Sequence, residues 1–502
     1  MAMKFSNVRI QFLKISTIAV IGTISSTLVF LAGQQRVFGF GSCDVPRKVN
    51  STWRVSNGFG SEFTVFNDEL FFKANDGIHG EELWKYDGTS VSLVQDIRPG
   101  EKSSKLLHLT VFKNELVFNA ETENGGDELW KYDGTSASLI QDIRPGNHGS
   151  HPADLTVLDN NLFFVANDGE FGCEPWKYDG TSVSMIKDIN PGNDSSFINL
   201  SEERSNKIIF NGQLLFAAQD NKGGIDIEHR KLWKFDGTSI SQVVDFNSTD
   251  NQNFTTGNFL GVFNNEIFIN LYKLRKSFSF LWKQRYTYDS GLWKYDGDSV
   301  SLVQNIPIET LSFLRNGVVY NGNLFFSAKH KEHGIELWRY DGTSVSLVKD
   351  LRPGEKHSRP LFLNVFKGAL FFSAAQDKNV RGFWKIEGNY ITPIQNINPE
   401  NVLSYSGFFT LFKEEIVFVG DDGKHGYELW RSDGTNAEMI ADINPDGHSS
   451  PRGMTEYKGE LFFTAYNKEN GRELWKYDGV SISLVQDIRP GDKSGFEVIF
   501  RD

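Results

Sequence analysis

Short apolar runs alternate with turns rich in Gly, Asn, Asp and Pro from about residue 60 to the end of the chain. Each unit of this pattern predicts four short strands, similar to LTVF, ELFFxA, ELWKYD and SVSLVQDI, followed by R-P-G or N-P-G. The strands are rich in β-branched and aromatic residues and show no helical periodicity, so we predict antiparallel hairpins. Runs such as Leu70–Phe72 and Leu461–Phe463 are apolar at consecutive positions, which requires cover on both faces of the strand.

One phrase, ELW-x-x-DGT, recurs through this region, and its clearest copies begin at Glu82, Glu128, Glu336 and Glu473. Its tryptophans are separated by 46, 46, 57, 60, 45, 46, 46 and 45 residues, so the chain contains nine units. We predict that these tryptophans form the structural core of the repeat, because burying one contributes on the order of 4–6 kcal/mol gross. They are Trp84, Trp130, Trp176, Trp233, Trp293, Trp338, Trp384, Trp430 and Trp475.

Four-stranded sheets that stack radially, as blades of a propeller, cover both faces of each sheet. We therefore predict an all-β protein in which residues 51–502 form a single β-propeller of about nine four-stranded blades. Nine exceeds the usual count of roughly four to eight blades. An eight-bladed ring with one worn unit is the alternative, and an open array is less favoured because its ends would expose apolar faces.

The repeat resembles the ELWxxDGT repeat family of exported and surface proteins of bacteria, over about residues 60 to 491. The resemblance implies a propeller-type fold and export, and it implies no particular reaction. The match fails locally at Ile386–Asn389, which stands in place of YDGT, and at Asp298, which replaces the threonine.

Residues 1–50 differ from the rest of the chain. Lys4, Arg9 and Lys14 precede an uncharged apolar run at residues 15–33, an order typical of an export signal. We predict that residues 1–50 are a signal peptide, or an N-terminal anchor with a short linker, and that the protein is secreted or displayed at the cell surface. Contact with a membrane is expected only through such an anchor.

The formal net charge of −12 argues against a nucleic-acid partner, since phosphates are not drawn to an acidic surface. The two cysteines, Cys43 and Cys173, do not provide a disulfide framework, so stability is expected to come from packing. The expected assembly is a monomeric ring.

Three histidines, His79, His333 and His425, each lie five residues before a repeat tryptophan and so occupy equivalent rim positions. Equivalent positions on different blades are held apart, whereas zinc needs converging ligands. We therefore expect no metal and no cofactor.

Oxygen-rich loops at residues 75–77, 167–169 and 421–423 leave structural calcium as an alternative, although their spacing does not match a calcium loop. Turn formation explains the same residues, and it also explains the DGT aspartates.

Common nucleophile, phosphate-binding and zinc-helix motifs are absent from the sequence, so we expect no enzyme and no catalytic residues. The leading hypothesis is an exported, non-enzymatic scaffold or recognition protein that presents loops for protein or glycan binding at the cell surface. The alternative is a secreted carbohydrate-active hydrolase or lyase with its site in the propeller channel. It requires non-repeated acidic, His or Tyr residues to converge there.

The fourth and fifth units are longer than the others and contain a basic, aromatic insertion at residues 271–290. Arginine and aromatic residues are enriched at binding hot spots, so the insertion is the predicted contact surface for a protein or glycan. An extended hairpin that only packs on a neighbouring blade is the alternative. The candidate binding residues are Lys273, Arg275, Lys276, Phe278, Phe280, Trp282, Lys283, Arg285, Tyr286 and Tyr288.

Overall fold

A computed structural model describes residues 63–192, 195–196, 207–220, 230–243, 254–278, 284–308, 317–377, 380–394, 402–403 and 409–496. All of these belong to one compact unit, Ser42–Asp502. The predicted signal segment lies outside the described residues. None of the described residues forms a helix long and apolar enough to span a membrane.

The strands fall into nine blades. Blades one to three contain β1 (Phe63–Phe66), β2 (Glu69–Asn75), β3 (Glu81–Tyr86), β4 (Val91–Gln95), β5 (Leu107–Phe112), β6 (Glu115–Thr122), β7 (Gly126–Tyr132), β8 (Ala137–Gln141), β9 (Ala153–Leu158), β10 (Asn161–Asn167), β11 (Cys173–Tyr178) and β12 (Val183–Met185). Blades four to six contain β13 (Lys207–Phe210), β14 (Gln213–Gln219), β15 (Arg230–Phe235), β16 (Ile240–Gln242), β17 (Phe254–Phe263), β18 (Glu266–Phe278), β19 (Gln284–Tyr295), β20 (Val300–Ile308), β21 (Val318–Tyr320), β22 (Asn323–His330), β23 (Gly334–Tyr340) and β24 (Val345–Lys349). Blades seven to nine contain β25 (Leu361–Phe366), β26 (Ala369–Ala375), β27 (Val380–Glu387), β28 (Tyr390–Pro393), β29 (Val402–Leu403), β30 (Phe409–Phe412), β31 (Glu415–Gly420), β32 (Glu428–Ser432), β33 (Ala437–Ala441), β34 (Arg452–Tyr457), β35 (Glu460–Asn467), β36 (Gly471–Tyr477) and β37 (Ile482–Gln486).

Each sheet is antiparallel and follows chain order, apart from the short β29, which adds to β27 in parallel. The first strands of most neighbouring blades contact one another, so they lie nearest the ring axis, and we call the nine first strands the inner strands. The inner strand of blade one also contacts that of blade nine, β34, which closes the ring. The prediction of a nine-bladed propeller is confirmed, and the eight-bladed alternative is wrong.

The core lies between the blades rather than within them. Phe71 packs in a cluster shared with blade two, whereas the adjacent Phe72 packs in a cluster shared with blade nine. The two-sided cover that the apolar runs require is therefore supplied by both neighbours. The repeat tryptophans lie in these same clusters, and Trp176, Trp338 and Trp430 are among the buried ones.

The DGT sequence forms the turn between the third and fourth strands. In blade two, Asp133 Oδ1 accepts hydrogen bonds from the N–H groups of Thr135 (2.8 Å) and Ser136 (3.0 Å). Gly134 supplies the left-handed backbone, at φ 101°, and its carbonyl accepts a hydrogen bond from Tyr132 Oη. These bonds hold the pKa of the Asp133 carboxyl below its usual value.

The glutamate of ELW joins consecutive blades, a role that the sequence analysis did not assign to it. Glu128 is 1% exposed, and its carboxylate accepts hydrogen bonds from the N–H groups of Ile143 (3.0 Å) and Ser150 (2.8 Å) and from Ser150 Oγ (2.5 Å). The Ser150 carbonyl in turn accepts the N–H of Asn167 in blade three. The buried glutamate thus fixes the linker that positions the next blade.

Six blades contain this arrangement, and burial raises the pKa of each glutamate. The pKa rises to about 7 for Glu82, Glu128, Glu336 and Glu428, and to about 8 for Glu174 and Glu473. Blades four, five and seven have Lys231, Gly291 and Gly382 at this position.

The junction between blades nine and one repeats the same plan. Gly495 takes the place of the serine: its N–H donates to Glu473 (2.6 Å), and its carbonyl accepts the N–H of Asn75 in blade one (2.8 Å). Phe496 then packs against Phe63 and Phe72. Ring closure therefore uses side-chain packing and loop hydrogen bonds, with no strand exchanged between these two blades among the described residues.

Cys173, at the start of β11, is buried and disulfide-bonded. The sequence analysis expected stability to come from packing rather than from a disulfide framework, and that expectation stays a prediction.

Candidate functional site

A ring of exposed aliphatic side chains lies on the inner strands. In eight blades the inner strand ends in a buried aromatic residue or leucine, and the residue just before it is aliphatic. The strand register pairs this aliphatic residue with the first apolar residue of the second strand, as Val65 pairs with Leu70. Seven of these side chains are 38–47% exposed and the eighth is half-buried. This aliphatic ring consists of Val65, Val111, Val157, Ile209, Val262, Val319, Val365 and Leu411.

The position of these residues follows from the fold. The inner strands surround the axis, and the aliphatic ring lies next to the turns that lead into the second strands. It therefore lines the central channel at one mouth. The exposed fractions show that water reaches this level of the channel.

The ninth blade breaks the aliphatic ring. Its equivalent residue is Glu456, which is exposed and pairs in register with Leu461. An acidic group thus lies at one point of an otherwise apolar circle, and it is the feature of the ring that distinguishes one side of the channel from the others.

A polar contact joins two inner strands farther from the same mouth. Lys207 of blade four occupies the place that Phe63 has in blade one, and its Nζ contacts the carboxylate of Asp154 in blade three and Thr156 Oγ1 (2.6 Å). Asp154 has a left-handed backbone at φ 64°, and so does His108, its counterpart in blade two.

The alternative prediction, a carbohydrate-active hydrolase or lyase, depends on which side chains the inner strands bring to the channel. It requires non-repeated acidic, His or Tyr side chains that converge in the channel. The structure places such residues on the inner strands at His108, Asp154 and Glu456, but the carboxylate of Asp154 is engaged by Lys207.

The predicted binding insertion is part of a long hairpin in blade five. β18 and β19 pair continuously out to Phe278 and Gln284, well past the length of the corresponding strands in other blades. Lys273, Arg275, Lys276, Phe278, Arg285, Tyr286 and Tyr288 lie on this two-stranded ribbon, and Phe280, Trp282 and Lys283 lie outside the described residues. Their role as a contact surface stays a prediction.

The rim histidines each pair with an aspartate. His79 Nδ1 lies 2.7 Å from Asp76, and the equivalent His425 Nδ1 lies 2.7 Å from Asp422. The other oxygen of Asp76 accepts the N–H groups of Ile78 and His79 within the same loop. The Asp76 carboxylate thus takes part in turn formation, and structural calcium in these loops stays an alternative prediction.

Sequence reasoning missed the aliphatic ring and the buried glutamates, although both leave a signal. The ring appears as a repeated Val or Ile before the last residue of the first strand, and the glutamate as the first letter of the repeat. Both signals resemble a generic strand pattern, because a residue that recurs in most repeats usually stabilises its own blade.

The comparisons with known proteins give structural likeness only. No family model and no curated protein matches the sequence. A puromycin-hydrolyzing peptidase of Mycobacterium tuberculosis has a TM-score of 0.38 at 10% identity, over 67% of this chain and 53% of that chain. A prolyl endopeptidase structure, from an analysis of two such enzymes, has a TM-score of 0.40 at 8% identity, over 73% of this chain and 55% of that chain. The propeller domain of the Trilobed protease of Pyrococcus furiosus has a TM-score of 0.32 at 11% identity, over 67% and 97%.

This chain spans about half the length of the whole peptidases that it matches. At TM-scores of 0.32–0.40 and 8–11% identity, this likeness assigns no reaction to this chain. The prediction of a non-enzymatic scaffold or recognition protein that presents loops is corrected to this extent: the solved structures to which the chain is similar are hydrolytic enzymes, and the prediction is not carried further.

Proposed function

We propose that the protein binds an extended, aliphatic peptide segment in its central channel, as the substrate of a hydrolytic process. The observation that supports this proposal is the aliphatic ring. Aliphatic groups at equivalent positions of eight blades, seven of them exposed, form a circle of apolar surface. Apolar surface that faces a water-filled channel favours an apolar ligand by about 25 cal/mol per Å² buried.

The backbone of the channel also suits a peptide. Within the described part of the chain, each inner strand is the edge strand of its sheet and pairs only with the second strand of its own blade. Its other edge faces the axis with backbone donors and acceptors, which an extended peptide can meet as an added strand does. Apolar side chains and backbone groups at the same wall are the two features that such a ligand uses.

Charge refines the ligand further. Glu456 of blade nine is the acidic residue at the position that is aliphatic in the other eight blades, and the whole chain carries a net charge of −12. A peptide with a basic side chain beside its aliphatic residues therefore suits the channel better than an acidic one. Sugars are less suited, because they require dense hydrogen-bonding groups where this ring presents methyl groups.

The test is peptide binding by the full chain and by Val111→Asp. We expect an aliphatic peptide with one lysine to bind the parent chain, and the variant to lose at least about tenfold in affinity because a charge enters the apolar circle. Fluorescence anisotropy measures binding, and mass spectrometry of the peptide after incubation detects cleavage.

Val480→Asp is the control, since Val480 is 87% exposed in the turn between β36 and β37 of blade nine and does not belong to the aliphatic ring. Equal affinities of the two variants, or no binding by the parent chain, would show that the channel does not bind such peptides.

A further inference from the structure

The loop between β22 and β23 of blade six differs in composition from the equivalent loops of blades one and eight. It reads His330-Lys331-Glu332-His333. One ligand atom from each of His330, Glu332 and His333 lies within 4.8 Å of the other two. Among the described residues, this is the group of three such side chains close enough to share one ion.

The cluster is specific to blade six because the equivalent loops of blades one and eight have an aspartate in place of its first histidine. In blades one and eight the residue three before the rim histidine is Asp76 or Asp422, and that aspartate pairs with the histidine. In blade six this residue is His330, so the loop presents two imidazoles. Their rings stack with centroids 5.1 Å apart.

A second carboxylate takes over the pairing in blade six. His333 Nδ1 lies 2.8 Å from Oδ2 of Asp350, which follows β24. Metal-ligating histidines usually donate their second ring nitrogen to a carboxylate, which fixes the ring and raises its basicity. Asp350 thus leaves Nε2 of His333 oriented and available as a ligand.

The remaining two groups can reach an ion without disturbing the core. Glu332 is exposed, and His330 is half-buried beside Trp338. The N–H of Glu332 donates to His330 Nδ1 at 3.2 Å, in an exposed position where water can replace this bond.

We propose that His330, Glu332 and His333 form a binding site for Zn²⁺, with Asp350 as the residue that positions His333. Two imidazoles and one carboxylate suit zinc, whereas calcium and magnesium require mainly oxygen ligands. Three protein ligands leave the fourth tetrahedral position open to water. The site is independent of the channel proposed above.

The experiment is a Zn²⁺ titration of the metal-free full chain by isothermal calorimetry, compared with His330→Asp. This variant places at residue 330 the aspartate that blades one and eight have at the equivalent position. We expect one Zn²⁺ per parent chain and a loss of at least tenfold in affinity in the variant. Co²⁺ binding, followed by its visible absorption, reports the ligand geometry directly.

Two further variants make the outcome decisive. Asp350→Asn should weaken Zn²⁺ binding by about 10–100-fold, as expected for loss of a group that orients a ligand. His425→Gln, at the matched rim position of blade eight, should leave binding unchanged. Absence of Zn²⁺ binding by the parent chain, or an equal loss in His425→Gln, would overturn the proposal.

Discussion

The carboxyl group of Glu128 illustrates how one repeated residue links the stability of this protein to pH. Its side chain is almost fully buried and receives hydrogen bonds from the linker to blade three. Burial opposes ionisation more strongly than these hydrogen bonds favour it, so the pKa rises from 4.5 to about 7.

The sign of the pH dependence follows from this shift. Because the folded-state pKa lies above the unfolded one, the folded protein binds the proton more tightly between about pH 4.5 and 7. The free energy of unfolding is therefore highest at the acidic end of this window and falls as the pH rises through it. The DGT aspartates titrate below the window, since hydrogen bonds lower the pKa of groups such as Asp133 and Asp236.

We predict that the thermal midpoint of the parent chain falls by on the order of a few degrees between pH 5 and pH 8. Glu128→Gln should show a shallower fall, because one of the six titrating glutamates is removed. Differential scanning calorimetry at several pH values measures both slopes. Identical slopes would indicate that Glu128 ionises normally in the folded protein.

At the scale of the element, the blade was predictable from sequence and the junction was not. Four strands, the DGT turn and the two-sided cover of Leu70–Phe72 all follow from local patterns, and the structure contains them. The junction depends on Glu128 reaching Ser150, which is 22 residues away. A contact at that distance leaves no local periodicity, so the repeated glutamate resembled an ordinary strand residue.

The aliphatic ring escaped prediction for a related reason. The residues of LTVF alternate along one strand, but which of them faces the axis depends on the order of strands in the blade. That order, with the first strand innermost, emerges only from contacts between different blades.

The junction yields a prediction about local opening. In Glu128→Ala the N–H of Ile143 loses its buried acceptor, which costs about 1–3 kcal/mol. Hydrogen exchange should accelerate at this amide. The matched amide of Ile443, which bonds to Glu428 in blade eight, should keep its protection. Equal acceleration at both junctions would mean that the effect is global rather than local.

At the scale of the whole molecule, we expect the stability of the ring to depend on the junction between blades nine and one. Phe496 is 8% exposed and fills the space between the last blade and the first, against Phe63 and Phe72. Tyr457 adds a hydrogen bond from its hydroxyl to the Asp68 carbonyl (2.7 Å) across the same junction.

Phe496→Ala should lower the free energy of unfolding by about 3–5 kcal/mol, the usual range for removing a buried phenylalanine. Urea unfolding followed by tryptophan fluorescence measures the change in the global transition. Val480→Ala, at an exposed site, should change the free energy of unfolding by less than about 0.5 kcal/mol. A parent-like transition in Phe496→Ala would show that the ring does not depend on this contact.

Because the four main strands of every sheet come from one continuous stretch of chain, the unit that a gene duplicates is also the unit that the ring assembles. A recombination between two copies of the repeat adds or removes a whole blade and leaves every remaining sheet intact. The junction of Gly495 with Asn75 is of the same type as the internal ones. Moving the chain ends to another linker would thus preserve the same set of contacts between the described blades, so this architecture tolerates changes in blade number and in the position of its ends.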